Sequence, residues 1–334
     1  MTDTAPHSAR RRWPSLLLGA ALLLALVITL GPRNAFGPDM PTSRPQPPQE
    51  LTQLDAWLAE REAAVPGLRP DVAKRITWHA HVGQVTPWAV VYVHGFSASR
   101  LETEPLAYGL AQALGANLFE TRLTGHGQNA QALGEATAQD WLADTEEALA
   151  LGRRLGQRVL FLSVSTGGTL ATWMGMRPEG REGVVHVMMS PNFGPRHPLA
   201  EVVNWPWGRQ LARWIEGDMR GPQPRNAAEA QAWTSPYPTQ AVFPMMALVK
   251  QVRQSDLSAF TAPVLVLYAE GDQTVDPAQT KAAFARLGSA QKTLLRVDDS
   301  ESPGQHVLAG ERLAPRSTGP IQQRILAWVT QLPR

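Results

Sequence analysis

The segment that decides the fold is Val159-Leu160-Phe161-Leu162-Ser163-Val164-Ser165-Thr166-Gly167-Gly168. The run Val159–Ser163 predicts a buried strand, and a helical segment begins at Gly168. Ser165 lies between them in a tight turn that pushes its hydroxyl out at the carboxyl edge of a sheet. The residues two positions to either side must be small because the turn crowds them. Ser165 is therefore a candidate nucleophile. The alternatives are a plain turn or a phosphate-binding loop, although no P-loop lysine follows.

Strands and helices alternate along the rest of the chain. The core strands are nearly continuous apolar runs, which indicates a mostly parallel, doubly wound α/β sheet with helices on both faces. The predicted strands are Ile76–Val82, Ala89–His94, Asn117–Leu123, Arg158–Ser163, Gly183–Met189, Pro263–Ala269 and Lys292–Val297. Helical spacing of apolar residues is found around Leu51–Ala64, and the other predicted helices are Pro105–Leu114, Asp140–Leu155, Gly168–Met176, Pro277–Leu287 and Ile321–Leu332.

Three other loops after predicted strands carry candidate site residues. One strand runs into His94-Gly95-Phe96, where the His94 side chain is expected to orient the loop. A later loop holds Asp272 next to a strand end, and Asp276 before Pro277 reads as a helix N-cap. The loop after the last strand holds His306. A serine, then an acid, then a histidine is the chain order of one known type of catalytic triad.

Residues 193–255 interrupt the alternation. This segment is rich in proline and contains Trp205, Trp207, Trp214 and Trp233. About 60 residues is too long for an ordinary crossover between two strands. We expect a lid of short helices over the site, with a packed structural insertion as the alternative.

Taken in order, these motifs resemble the α/β-hydrolase family, and most closely its bacterial carboxylesterases, monoglyceride-lipase-like enzymes and serine aminopeptidase-like members. The resemblance extends from about Trp88 to the C-terminus, with Ser163 in place of the usual first glycine of Gly-x-Ser-x-Gly. It implies a catalytic triad and an oxyanion hole, formed by Ser165, Asp272 and His306 and by the backbone N–H groups of Phe96 and Thr166.

The resemblance also implies a reaction, which is two-step acyl transfer through an acyl-enzyme. A carboxylic ester, as a small molecule or a lipid-like one, is the favoured substrate because the Trp- and Met-rich segment would line an apolar pocket. A peptidase or amidase, an acyltransferase, and an inactive binding protein remain as alternatives. No metal and no organic cofactor is implied.

Composition limits the partners of the chain. Of 334 residues, 43% are apolar and 18% charged, and there are 11 Trp, which argues against extensive disorder. Lys and Arg exceed Asp and Glu by only 31 − 29 = 2, too little for a nucleic-acid-binding surface. The absence of cysteine excludes disulfides, cysteine nucleophiles and thiolate metal sites.

The N-terminal 50 residues predict a membrane anchor. Three arginines end residues 1–12, and the apolar run Trp13–Leu30 is about 27 Å long as a helix. We therefore expect a cytoplasmic segment 1–12, a transmembrane signal-anchor 13–31, a Pro-rich spacer 32–50, and a hydrolase domain 51–334 on the exported side. Secretion after signal cleavage is the alternative.

Overall fold

A computed structural model describes residues 13–333. In chain order the strands are β1 (Arg75–Thr77), β2 (Thr86–Val93), β3 (Asn117–Glu120), β4 (Gly156–Val164), β5 (Val184–Met189), β6 (Met219–Arg220), β7 (Tyr237–Pro238), β8 (Val264–Tyr268) and β9 (Lys292–Arg296). In this part of the chain one seven-stranded sheet has the order β1-β3-β2-β4-β5-β8-β9. All of its neighbouring strands are parallel except β1 and β3. The prediction of a mostly parallel sheet is confirmed.

The helices are α1 (Trp13–Thr29), α2 (Leu54–Ala63), α3 (Leu106–Leu114), α4 (Ala130–Glu135), α5 (Ala138–Leu155), α6 (Thr166–Gly175), α7 (Gly208–Glu216), α8 (Ala227–Ala232), α9 (Val242–Gln254), α10 (Pro277–Arg286) and α11 (Pro315–Thr330). Residues from α5 and α6 bury one face of the sheet, and residues from α3 and α11 bury the other. Val90 and Val91 of β2 belong to opposite cores, which explains why the strands are apolar at every position.

The first predicted strand, Ile76–Val82, is shorter than expected. The antiparallel register of β1 pairs Thr77 with Leu118 and goes no further. At the next position along β3, the side chain of Asn117 accepts the backbone N–H of His79 at 2.9 Å. A side-chain bond replaces the ladder there, and residues 78–85 leave the sheet.

The segment between β5 and β8 contains α7, α8, α9 and the antiparallel pair β6–β7. Its last helix, α9, packs against α6, the helix that follows the Ser165 turn. The inserted segment has a small apolar cluster of its own, formed by Val203, Val242, Phe243 and Met246. The segment therefore lies beside the carboxyl end of β4.

The membrane prediction is wrong. Helix α1 has 17 residues, or about 26 Å, and a bilayer core is about 30 Å thick. It ends at Thr29, whose hydroxyl donates to the carbonyl oxygens of Ala25 and Leu26, and Leu30 no longer belongs to it. Among residues 13–333, no helix is long and apolar enough to cross a membrane. The predicted transmembrane anchor and the membrane localisation with an exported domain are thereby overturned. The predicted segment 1–12 lies outside the described residues.

The Pro-rich segment 32–50 lies against the domain instead of holding it at a distance. The side chain of Asn34, which is 6% exposed, donates to Asn204 and to the carbonyl oxygen of Phe243. Farther along, Asp39 accepts the indole N–H of Trp173 at 2.7 Å. These contacts tie the segment to both the inserted segment and α6.

Candidate active site

Ser165 occupies a strained turn between β4 and α6. Its backbone has φ 52° and ψ −117°, a combination that L-residues rarely adopt outside functional sites. A Cβ at position 167 would lie 2.8 Å from the carbonyl oxygen of His94, so this position requires glycine. Ser163 is different, because it lies within β4 and its hydroxyl donates to the carbonyl oxygen of Val187 at 3.3 Å. The turn therefore needs a small residue at 163 but not a glycine.

His306 and Asp272 form a hydrogen-bonded pair. His306 Nδ1 lies 2.8 Å from Asp272 Oδ2, and the aspartate is 2% exposed. The other carboxylate oxygen accepts the backbone N–H groups of Thr274 and Val275 at 2.8 and 2.9 Å. These bonds hold the carboxylate in one orientation behind the imidazole. Asp276 instead caps α10 by accepting the N–H of Ala278.

Four of the five predicted site residues line one cavity of about 290 Å³: Phe96, Ser165, Thr166 and His306. The fifth, Asp272, lies behind His306. The inserted segment contributes much of the apolar lining through Val203, Val242, Met245 and Met246. Within residues 13–333 no hydrogen bond joins the Ser165 hydroxyl to His306. Such bonds often form only when substrate is bound.

The loop after β2 leaves one backbone N–H group free. The N–H of Gly95 donates to Glu102 Oε2 at 2.8 Å, and the N–H of Ser97 donates to His126 Nε2 at 3.0 Å. The N–H of Phe96, between them, has no hydrogen-bond partner in the described part of the chain. Thr166 is the first residue of α6, where backbone N–H groups lack helical partners. Both groups predicted for the oxyanion hole are thus available to a ligand.

His94 and His126, in the loops after β2 and β3, are neutral and accept backbone N–H groups. Burial lowers the pKa of His126 to about 3 and the pKa of His94 to about 4. His94 Nε2 accepts the backbone N–H of Leu123 at 3.1 Å, which joins the end of β2 to the loop after β3. His126, in that second loop, reaches back to Ser97. The loop that contains Phe96 is therefore held from two sides.

Sequence analysis missed Glu102. This carboxyl is 2% exposed and lines the cavity, and it also accepts the hydroxyl of Tyr92 at 3.1 Å. Burial raises its pKa, and the hydrogen bond from Gly95 and the nearby His306 oppose that rise. The signal in the sequence is an acidic residue seven positions after Gly95, between a predicted strand and a predicted helix.

Comparison with known proteins gives a family and a fold. Residues 85–300 match the family model described as serine aminopeptidase, S33. A thermostable monoacylglycerol lipase from Bacillus sp. (strain H-257) is 24% identical over 217 residues, which is 64% of this chain and 82% of that protein.

Two solved structures show the same fold. One comes from work on LipS and LipT, two metagenome-derived lipolytic enzymes, with a TM-score of 0.61 and 22% identity over 79% of this chain and 100% of that one. The other is a soluble variant of monoglyceride lipase from Saccharomyces cerevisiae, with a TM-score of 0.57 and 14% identity over 77% of this chain and 91% of that one. The chain belongs to the serine aminopeptidase, S33 family of α/β-hydrolases, among esterase- and lipase-like proteins.

Proposed function

We propose that the protein is a serine hydrolase that cleaves carboxylic esters through Ser165, His306 and Asp272. The observation that carries the proposal is the strained Ser165 turn, which opens on the same cavity as the His306–Asp272 pair and the free N–H of Phe96. A nucleophile, a base with an orienting carboxylate, and hydrogen-bond donors for an oxyanion are the parts that acyl transfer requires.

The reaction proceeds in two halves. Ser165 Oγ attacks the ester carbonyl carbon while His306 Nε2 takes the hydroxyl proton, and Asp272 stabilises the imidazolium. The N–H groups of Phe96 and Thr166 donate to the oxyanion. The bond to the alcohol then breaks, His306 gives its proton to the departing oxygen, and an acyl-enzyme remains. Water, deprotonated by His306, attacks the acyl carbon and releases the acid and Ser165.

The substrate is a small-molecule ester, with a lipid-like acyl group as one form. The apolar lining from Val203, Val242, Met245 and Met246 supports an apolar acyl chain, and the inserted segment acts as a lid over it. The relative from Bacillus is a monoacylglycerol lipase, which is consistent with this choice.

Hydrolysis of peptides or amides is the second candidate. The description of the matching family as a serine aminopeptidase favours it. The same catalytic groups could serve both reactions, because an amine leaving group takes its proton from His306 as an alcohol does. Turnover of a p-nitrophenyl acyl ester, compared with that of an aminoacyl p-nitroanilide, separates the two.

A fluorophosphonate probe tests the nucleophile. We expect the probe to label the wild-type protein and the control variant Ser163→Ala but not Ser165→Ala. Ester turnover is expected to be lost in Ser165→Ala and lowered by orders of magnitude in Asp272→Ala. A folded wild-type protein that is inert to the probe would overturn the proposed function.

A further inference from the structure

Arg220 is a cationic side chain in the wall of the Ser165 cavity. It lies on β6 in the inserted segment and lines the same 290 Å³ space as Ser165 and His306. Among residues 13–333 it forms no ion pair, and its buried Nε has no hydrogen-bond partner. Arg220 as a whole is half-buried, but a buried N–H without an acceptor is costly, so the group points to a ligand that supplies the missing acceptor.

Two polar side chains near Arg220 form no ion pair with it in the described part of the chain. Tyr237 lies opposite Arg220 in the β6–β7 register. Burial and the charge of Glu216 raise the pKa of its phenol, whereas the charge of Arg220 and a hydrogen bond with it oppose that rise. The phenol therefore stays uncharged near neutral pH. Glu102 lines the same cavity, and its Oε2 accepts the N–H of Gly95 and the hydroxyl of Tyr92.

A second cavity identifies which half of the substrate Arg220 faces. This cavity, of about 340 Å³, is lined by His306 and by polar residues such as Gln223, Arg225 and Glu229. His306, which protonates the leaving group, lines both cavities, whereas Ser165 and Thr166 line only the first. An alcohol that leaves toward the second cavity would therefore place the acyl group in the first, with Arg220.

We propose that Arg220 binds a carboxylate at the far end of the acyl group, so that the preferred substrates are half-esters of short dicarboxylic acids. This inference rests on the proposed function, and it narrows the substrate class to anionic acyl groups. A short chain fits this cavity, because its volume of about 290 Å³ lies at the lower end of the range for small-molecule sites. A guanidinium binds a carboxylate through charge-assisted hydrogen bonds, which an uncharged ester group cannot replace.

A matched pair of esters tests the charge. Mono-4-nitrophenyl glutarate carries the carboxylate, and its methyl ester is a neutral analogue of nearly the same shape. For the wild-type protein we expect kcat/KM for the anionic ester to exceed that for the neutral ester by about ten- to a hundredfold. Arg220→Met should abolish this ratio by lowering kcat/KM for the anionic ester. Arg213→Met, on exposed α7 of the same segment, serves as the control and should keep the ratio. A wild-type preference for the neutral ester, or an unchanged ratio in Arg220→Met, overturns the inference.

A binding experiment separates this inference from the proposed function. In the Ser165→Ala background, calorimetry with monomethyl glutarate and with its neutral diester, dimethyl glutarate, measures recognition without turnover. We expect tighter binding of monomethyl glutarate, and we expect this advantage to be lost when Arg220→Met is added. Equal binding of the two esters, or no binding of either, overturns the role of Arg220. Failure of probe labelling and of ester turnover, with monomethyl glutarate binding intact, would overturn only the proposed reaction.

Discussion

Replacing Glu102 separates the folding role of this buried carboxyl from its effect on the loop that holds Phe96. Alanine leaves two buried donors without an acceptor, the N–H of Gly95 and the hydroxyl of Tyr92. At about 1–3 kcal/mol for each unsatisfied group, Glu102→Ala should lower the free energy of unfolding by about 2–6 kcal/mol. Glutamine still offers an oxygen to both donors, so Glu102→Gln should stay within about 2 kcal/mol of wild type. Urea unfolding measures both differences.

The catalytic effect should appear in kcat. Loss of one oxyanion donor costs about 10²–10³ in rate, so a loosened loop in Glu102→Ala should lower kcat by about 10- to 100-fold. KM should change little, because the oxyanion exists only in the transition state. Glu102→Gln should recover most of kcat, and Glu104→Gln, a half-exposed neighbour, should match wild type. A folded Glu102→Ala protein with wild-type kcat on a p-nitrophenyl ester would refute the positioning role.

Three further predictions address the turn, the N-terminal segment and acid stability. Ser163→Gly should keep kcat/KM within about threefold, whereas Gly167→Ala, with its crowded Cβ, should lower the unfolding free energy by about 1–3 kcal/mol and reduce activity. Removal of residues 1–49 should lower the melting temperature relative to removal of residues 1–30, because the contacts of segment 32–50 are lost. The expected decrease is about 2–4 °C for each kcal/mol of lost stability. Equal melting temperatures would contradict the docking of segment 32–50. Burial lowers the pKa of His186 from its usual 6.5 to about 4, so on acidification the unfolded chain binds a proton at this residue before the folded chain does. The free energy of unfolding should therefore fall by up to about 1.4 kcal/mol per pH unit as the pH decreases from 6.5 toward 4. His186→Gln, which keeps a donor for the Gly180 carbonyl oxygen, should flatten that slope in urea unfolding measured against pH, and parallel slopes would be the contrary result.

The fold was predictable because its signals are local. Each central strand is apolar on both faces, as Val90 and Val91 illustrate, and the helices between strands carry their own spacing. The end of β1 was not predictable, since the side chain of Asn117, 38 residues away, decides it. Composition predicts a Pro-rich spacer over residues 32–50. It does not reveal that Asn34 is buried against Asn204, which lies 170 residues farther along the chain.

The membrane prediction failed at the C-terminal end of α1. Counting apolar residues assumed that the helix continues to Leu30, but its last turn closes at Thr29, two residues before Gly31. The indole N–H of Trp207 donates to the carbonyl oxygen of Val27, and its backbone N–H donates to that of Pro32. Trp207, the residue before α7, therefore contacts the chain on both sides of the point where α1 ends. Hydropathy along the chain carries no information about such contacts.

Some residues of the candidate site can be predicted from local sequence, whereas others depend on tertiary contacts. Phe96, Ser165, Asp272 and His306 all follow carboxyl ends of parallel strands, and strand order alone brings such ends to one edge of a sheet. Glu102 and Arg220 do not follow from strand order. Glu102 is placed by a short helical turn beyond the β2 loop, and Arg220 by a two-stranded pair within the inserted segment. The groups proposed to run the reaction can therefore be read from the sequence, whereas the group proposed to select the substrate depends on how the inserted segment packs. It follows that relatives with the same strand-end residues and a different inserted segment should share reactivity toward a fluorophosphonate and differ in their preference for anionic acyl groups.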